Sequence, residues 1–136
     1  MKPNKNIILT NFMICILVVM SCNSEKEKTE LSPFNIQVVK TEEEIKLKCT
    51  LGCAWTELNF TKNNYQAQFV DEFGMSDSKD RESEKTDDNL ANFIFSISKT
   101  EEGIQLIGEQ GTAWKELNFS LKNYEPQIIT QTGMKE

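Results

Sequence analysis

Two short stretches carry the residues with the most chemical potential: Trp55, Glu57 and Asn59, and again Trp114, Glu116 and Asn118. An indole can stack on a sugar ring or grip a peptide, and a carboxylate and an amide beside it can hydrogen-bond whatever is held there. The two glutamates are also the pair from which a carboxylate-dependent hydrolase would have to be built. Spaced two apart, the three side chains share one parity of an extended strand, so a straight strand would present all of them on one outer face. The alternative turns the indole inward as a core plug and leaves the glutamate and asparagine to bond to backbone. A large aromatic kept in both copies of so small a unit favours the core position.

The rest of the chemical inventory is short. Histidine is absent from the chain, and with it go the commonest general base, the commonest zinc ligand and every Ser-His or Cys-His nucleophile pair. Glycine-rich phosphate loops, nucleophile elbows and metalloprotease motifs are also missing. Two cysteines alone do not complete a tetrahedral zinc site, and a hydrolase on Glu57 and Glu116 would lack walls for its cleft in so small a chain. The expectation is a non-catalytic protein without metal or cofactor.

Both stretches belong to a duplication. Gly52-Cys53-Ala54-Trp55-Thr56-Glu57-Leu58-Asn59-Phe60 returns as Gly111-Thr112-Ala113-Trp114-Lys115-Glu116-Leu117-Asn118-Phe119, and residues 34–75 align with 93–134 at a constant offset of 59, without gaps and with 19 of 42 positions identical. In the first copy Phe34, Ile36 and Val38 alternate with polar neighbours and predict a strand. Ile45, Leu47 and Cys49 predict a second after a turn at 41–44, and Leu58 and Phe60 a third with both side chains inward. Gln66 to Val70 reads as a weaker fourth strand, entered through a turn at Asn63-Asn64. The second copy alternates more cleanly, with Phe93, Phe95 and Ile97 set against Ile94, Ser96 and Ser98. Pro126 in its last strand predicts an edge position. Tyr65 and Tyr124, each following a turn asparagine, are assigned to turn packing.

Each unit is therefore read as a four-stranded antiparallel meander. Forty-two residues bury barely enough apolar surface to be stable alone, so a single unit is marginal, although the linker would also permit two separate units. The predicted fold is all-β, with the two homologous meanders packed as a β-sandwich. Between them, residues 76–92 hold six acids, three bases and hardly any apolar side chain, and read as an acidic, solvated linker. A calcium loop needs ligands at fixed alternate positions around a glycine, and this run has no glycine.

Ahead of the repeats, Lys2 and Lys5 precede an apolar run from Phe12 to Met20, far short of the roughly 20 residues that span a bilayer as a helix. Residues 1–21 read as a signal peptide. The run ends in Val19-Met20-Ser21-Cys22, which resembles the lipobox of bacterial lipoproteins. That resemblance implies cleavage before Cys22, acyl chains such as palmitate on Cys22, and stable membrane anchoring by several chains on one residue. Residues 22–33 then form a lipid-anchored tether. Asn23 in place of an aspartate, followed by the charged run 24–30, resembles the sorting signals of outer-membrane and surface-displayed lipoproteins.

Export also sorts the remaining cysteines. Cys15 leaves with the leader, and Cys49 and Cys53 enter an oxidising compartment, where a disulfide is the default. The matching positions in the second copy are Gly108 and Thr112, so both cysteines are missing together, as expected of a bonded pair. A redox role is disfavoured by the C-x-x-x-C spacing. Without residues 1–21 the chain has 13 bases against 21 acids, a charge of −8. That balance argues against nucleic acid and for a basic protein or cationic ligand.

The Gly-Cys-Ala-Trp-x-Glu-Leu-Asn-Phe string with its downstream Gly-Met end resembles a family of small exported bacterial proteins and lipoproteins for which no activity is assigned. The resemblance implies location and fold only. The sequence thus points to a lipid-anchored protein of the outer membrane or cell surface, acting as a non-catalytic binding module for a glycan, a peptide or a basic protein. An inhibitor or immunity-type protein that blocks a basic envelope enzyme, and a small glutamate-dependent hydrolase, are the alternatives.

Overall fold

The computed structural model describes residues 30–79 and 87–136. The leader, Cys22, most of the tether and the middle of the linker lie outside them. Ten strands follow in chain order: β1 (Asn35–Lys40), β2 (Glu44–Leu51), β3 (Glu57–Thr61), β4 (Gln68–Asp71), β5 (Gly74–Ser76), β6 (Ile94–Lys99), β7 (Gly103–Gln110), β8 (Glu116–Ser120), β9 (Pro126–Thr130) and β10 (Gly133–Lys135). All pairings are antiparallel, in two five-stranded sheets ordered β10-β9-β1-β2-β3 and β5-β4-β6-β7-β8.

The all-β, two-sheet arrangement is the expected one, but the units are not separate meanders. Each repeat builds three strands of its own sheet and gives its last two to the other. The β4–β5 hairpin pairs with β6 of the second repeat, and β9–β10 pairs with β1 of the first. Applied twice, this exchange returns each hairpin to its start, so the two repeats are related by a pseudo-twofold axis. The exchange also corrects the prediction for Pro126. Its strand β9 is flanked on both sides, not on an edge, and the proline is tolerated because it is the first residue of the strand, beyond the stretch that pairs with β10.

Alternation decides what is buried. Ile36 and Val38 on β1, Ile45, Leu47 and Cys49 on β2, and Phe60 on β3 face inward. They meet Phe95, Ile97, Ile104 and Leu106 of the opposite sheet in one hydrophobic core. Equivalent residues touch at the axis, with the rings of Phe34 and Phe93 4.5 Å apart. β6 departs from the alternation, because its serines are buried as well. Ser96 pairs with Phe69 on one side and Ile107 on the other, and these bulky neighbours overhang it. The C-terminal end of the linker is not solvated either: Ala91 is buried and donates its N–H to the Gly52 carbonyl at 2.8 Å.

At that same spot Gly52 and Gly111 adopt φ of 87° and 75°. A Cβ on Gly52 would come within 2.7 Å of the Pro33 carbonyl oxygen, and one on Gly111 would overlap the Asn92 carbonyl. Both the handedness and the close approach require glycine, which explains why the position is unchanged in the two copies.

Candidate functional site

The third strand of each repeat places its residues as parity dictates. Leu58, Phe60, Leu117 and Phe119 turn toward the core, while Glu57, Asn59, Glu116 and Asn118 are exposed on the outer faces. The tryptophans do not follow them. Each lies before the strand, in a loop folded back by a backbone bond to the preceding strand, Cys49 N–H to Thr56 O and Gly108 N–H to Lys115 O, both 2.9 Å. That fold-back breaks the straight-strand parity and swings the indole into the sandwich. Trp55 Nε1 donates to the Asp71 carbonyl and Trp114 Nε1 to the Thr130 carbonyl, each at 2.9 Å. Trp114 is buried, with its ring 6.2 Å from that of Phe95, and Trp55 is half-buried. The three-residue outer patch of aromatic, acid and amide is therefore not assembled in either copy.

What remains outside is an acid paired with an amide. Asn118 Nδ2 donates to Glu116 Oε1 at 2.6 Å, and Gln105 Nε2 donates to the same oxygen at 3.0 Å. These two donors, Asn118 first, hold the Glu116 carboxyl below its usual range. In the first copy Asn59 Nδ2 reaches Glu57 Oε1 at 3.3 Å, and the position matching Gln105 is Lys46. Glu57 and Glu116 project from the outer faces of different sheets, with the whole sandwich between them. They share no cleft and form no carboxylate pair.

Cys49 and Cys53 are joined by a disulfide, with sulfur atoms 2.07 Å apart. The second copy closes the same loop by other means. Thr112 Oγ1 donates to the Trp114 carbonyl at 2.7 Å, and Gly108 stands where any Cβ would overlap both Thr112 Oγ1 and that carbonyl.

A second group of retained polar residues lies at the opposite end of the sandwich. The run Lys40-Thr41-Glu42-Glu43 returns unchanged at 99–102. In β1 the inward residues are Ile36, Val38 and Lys40, and in β6 the lysine Lys99 falls on the same side as Phe95 and Ile97. The signal was present in the sequence as a lysine on the apolar parity of both first strands. No protein-family model matches the chain, and neither curated proteins nor solved structures give a significant match.

Proposed function

We propose that the protein is a lipid-anchored, non-catalytic binding module of the bacterial envelope, held at the outer membrane or cell surface by acyl chains on Cys22. The outer faces of β3 and β8 are its contact surfaces for a glycan, a peptide or a basic protein. One observation carries the reading: the Glu–Asn pair is identical in both copies, exposed in both, and placed on a strand that closes one edge of each sheet. The core does not need these side chains. An edge strand offers unpaired backbone groups to an incoming extended segment, and the pair beside it supplies acceptors and donors for selectivity.

The charge of −8 after leader removal favours the second reading, an inhibitor or immunity-type protein whose acidic surface covers a basic enzyme. Such binding would be fast and strongly weakened by salt. Palmitate labelling in a bacterial host tests the anchor, since Cys22→Ala should lose both label and membrane retention. Contact is tested by titrating the chain with peptidoglycan fragments and with a basic envelope-protein fraction, comparing wild type with Glu57→Ala/Asn59→Ala/Glu116→Ala/Asn118→Ala. Equal binding by both chains would remove β3 and β8 from the reading.

A further inference from the structure

The pseudo-twofold axis leaves the sandwich, at the end away from Phe34 and Phe93, through a groove of about 300 Å³. Its lining consists of equivalent pairs, headed by Lys40 with Lys99 and Thr41 with Thr100. Every lining pair is identical in the two copies, although fewer than half of the aligned positions are. The threonines have a structural duty, since Thr41 Oγ1 and Thr100 Oγ1 accept the N–H of Glu44 and Gly103 and close the first hairpin of each sheet. Of the lysines, Lys99 makes one bond to the opposite sheet, and the Lys40 ammonium makes none to a described residue.

Lys40 and Lys99 are 9% and 8% exposed, on the core side of the two central strands. The Lys40 stem runs along the core, and its ammonium, which is not sealed from solvent, opens on the groove. Neither has a carboxylate: among the described residues the one ion pair is Lys46–Glu44, on the outer face. Lys99 Nζ donates to the Glu43 carbonyl at 3.2 Å, reaching across to the opposite sheet, and no described residue bonds the Lys40 ammonium. Glu42 and Glu101 also border the groove, but as exposed turn residues beyond ion-pair distance of either ammonium.

The groove is built rather than incidental. Its walls are the two crossovers that carry the chain from one sheet to the other, and each is tied to a lysine: Tyr65 N–H bonds the Lys99 carbonyl and Tyr124 N–H the Lys40 carbonyl, both at 2.7 Å. Both tyrosines hold left-handed φ of 66° and 67°, a conformation that is costly for a non-glycine residue. The strain fixes Asn64 and Asn123, whose amides complete the lining. Beside it a second cavity of about 580 Å³ shares Lys99, Asn64 and Glu42 and adds Lys62 and the exposed Glu43.

We propose that this groove binds a compact oxyanion, a phosphate, sulfate or carboxylate group, between the ammoniums of Lys40 and Lys99, with amide donors from Asn64 and Asn123. The volume admits such a group, being well above the roughly 30 Å³ of a single water. The cavity toward Lys62 gives the remainder of a larger anionic ligand a path on one side only, because the position matching Lys62 is Leu121, which is buried. This site is separate from the faces of β3 and β8 and stands whether or not they bind anything.

The test is a ¹H–¹⁵N NMR titration of the full chain in detergent micelles with sodium phosphate, sulfate and acetate, each against sodium chloride at matched ionic strength. Saturable shifts confined to 40–42, 64, 99–101 and 123 are expected, and the ranking of the three anions names the preferred class. Lys40→Gln and Lys99→Gln should each weaken binding at least about tenfold. Lys40→Arg should keep most of it, and Lys46→Gln on the outer face should change nothing. The wild-type titration locates the site without any variant, and unchanged amide dispersion outside the groove certifies that each variant folds. Three outcomes overturn the proposal: groove shifts no larger than with chloride, which would leave a water-filled groove into which two lysines merely extend; saturable shifts elsewhere; or undiminished binding by both glutamine variants.

Discussion

The indole N–H of Trp114 donates to the carbonyl of Thr130, 2.9 Å away in the other sheet. Thr130 ends β9, a strand of the tryptophan's own repeat that has crossed to the opposite sheet. Trp55 bonds Asp71 of β4 in the same way, and the neighbouring Ala54 and Ala113 N–H groups bond Glu72 and Gln131 in the turns that follow, each at 2.7 Å. Each tryptophan loop thus fastens the hairpin its repeat has given away.

Removing that fastening should weaken the whole sandwich. Trp114→Phe deletes the donor to the half-buried Thr130 carbonyl and part of the packing of a buried indole, a loss of about 1–3 kcal/mol. Trp55→Phe should lose a similar amount, because the indole is half-exposed but its acceptor belongs to the buried Asp71. Urea denaturation of the two variants reads both losses. Tryptophan emission from Trp55→Phe, which reports Trp114 alone, should be blue-shifted and poorly quenched by iodide. Red-shifted, quenchable emission would place the indole outside.

The exchange makes the two repeats one cooperative unit. A chain of residues 30–79 alone has no β9 beside β1 and no β6 beside β4, so it should yield no folded monomer. Two such chains can complete each other about a true twofold, which makes a dimer the folded outcome. Sedimentation with circular dichroism checks this, and a folded monomer of that length would contradict the exchange.

How much of this was legible beforehand depends on distance along the chain. Local alternation located β1, β2 and β3, and correctly sent Leu58 and Phe60 inward, because strand parity is a two-residue property. The disulfide was legible too, since Gly108 and Thr112 replace both cysteines together. Pairing partners were not. Gln68 to Asp71 pairs with Ile94 to Ile97 rather than with β1 or β3, and nothing in a strand's own sequence says which of two homologous sheets it joins. Trp55 misleads a straight-strand reading because the loop fold-back, a backbone hydrogen bond from Cys49 to Thr56, leaves no mark in residue type. Lys40 was visible on the apolar parity, yet its meaning needed the axis that brings Lys99 beside it.

The two copies close equivalent loops by different means, and the difference is measurable. Cutting the Cys49–Cys53 bond should cost about 2 kcal/mol on the loop-entropy model for so short a loop, read as a lower denaturation midpoint in reductant. The second loop should be indifferent to reductant but intolerant of any side chain at 108. Gly108→Ala forces a Cβ against the Trp114 carbonyl and Thr112 Oγ1, and should destabilise by about 1–3 kcal/mol as an overpacked site. A neutral Gly108→Ala would mean that the loop has room the structure does not give it.

Glu116 supplies a prediction about acid. Hydrogen bonds from Asn118 and then Gln105 favour its charged form and lower its pKa in the folded chain. A carboxyl whose folded pKa lies below its unfolded one adds stability that is fully present above the unfolded value and is lost as pH falls through the folded value. The pH dependence is therefore confined to acid, and around neutral pH the contribution is present and constant. A ¹³C titration of the side-chain carboxyl should place the Glu116 midpoint below the usual glutamate range. Asn118→Ala should move it upward, and Asn118→Ala/Gln105→Ala further still. An unchanged midpoint in the double variant would show that the amide donors do not hold the charge, and the paired geometry on the outer face of β8 would lose its electrostatic role.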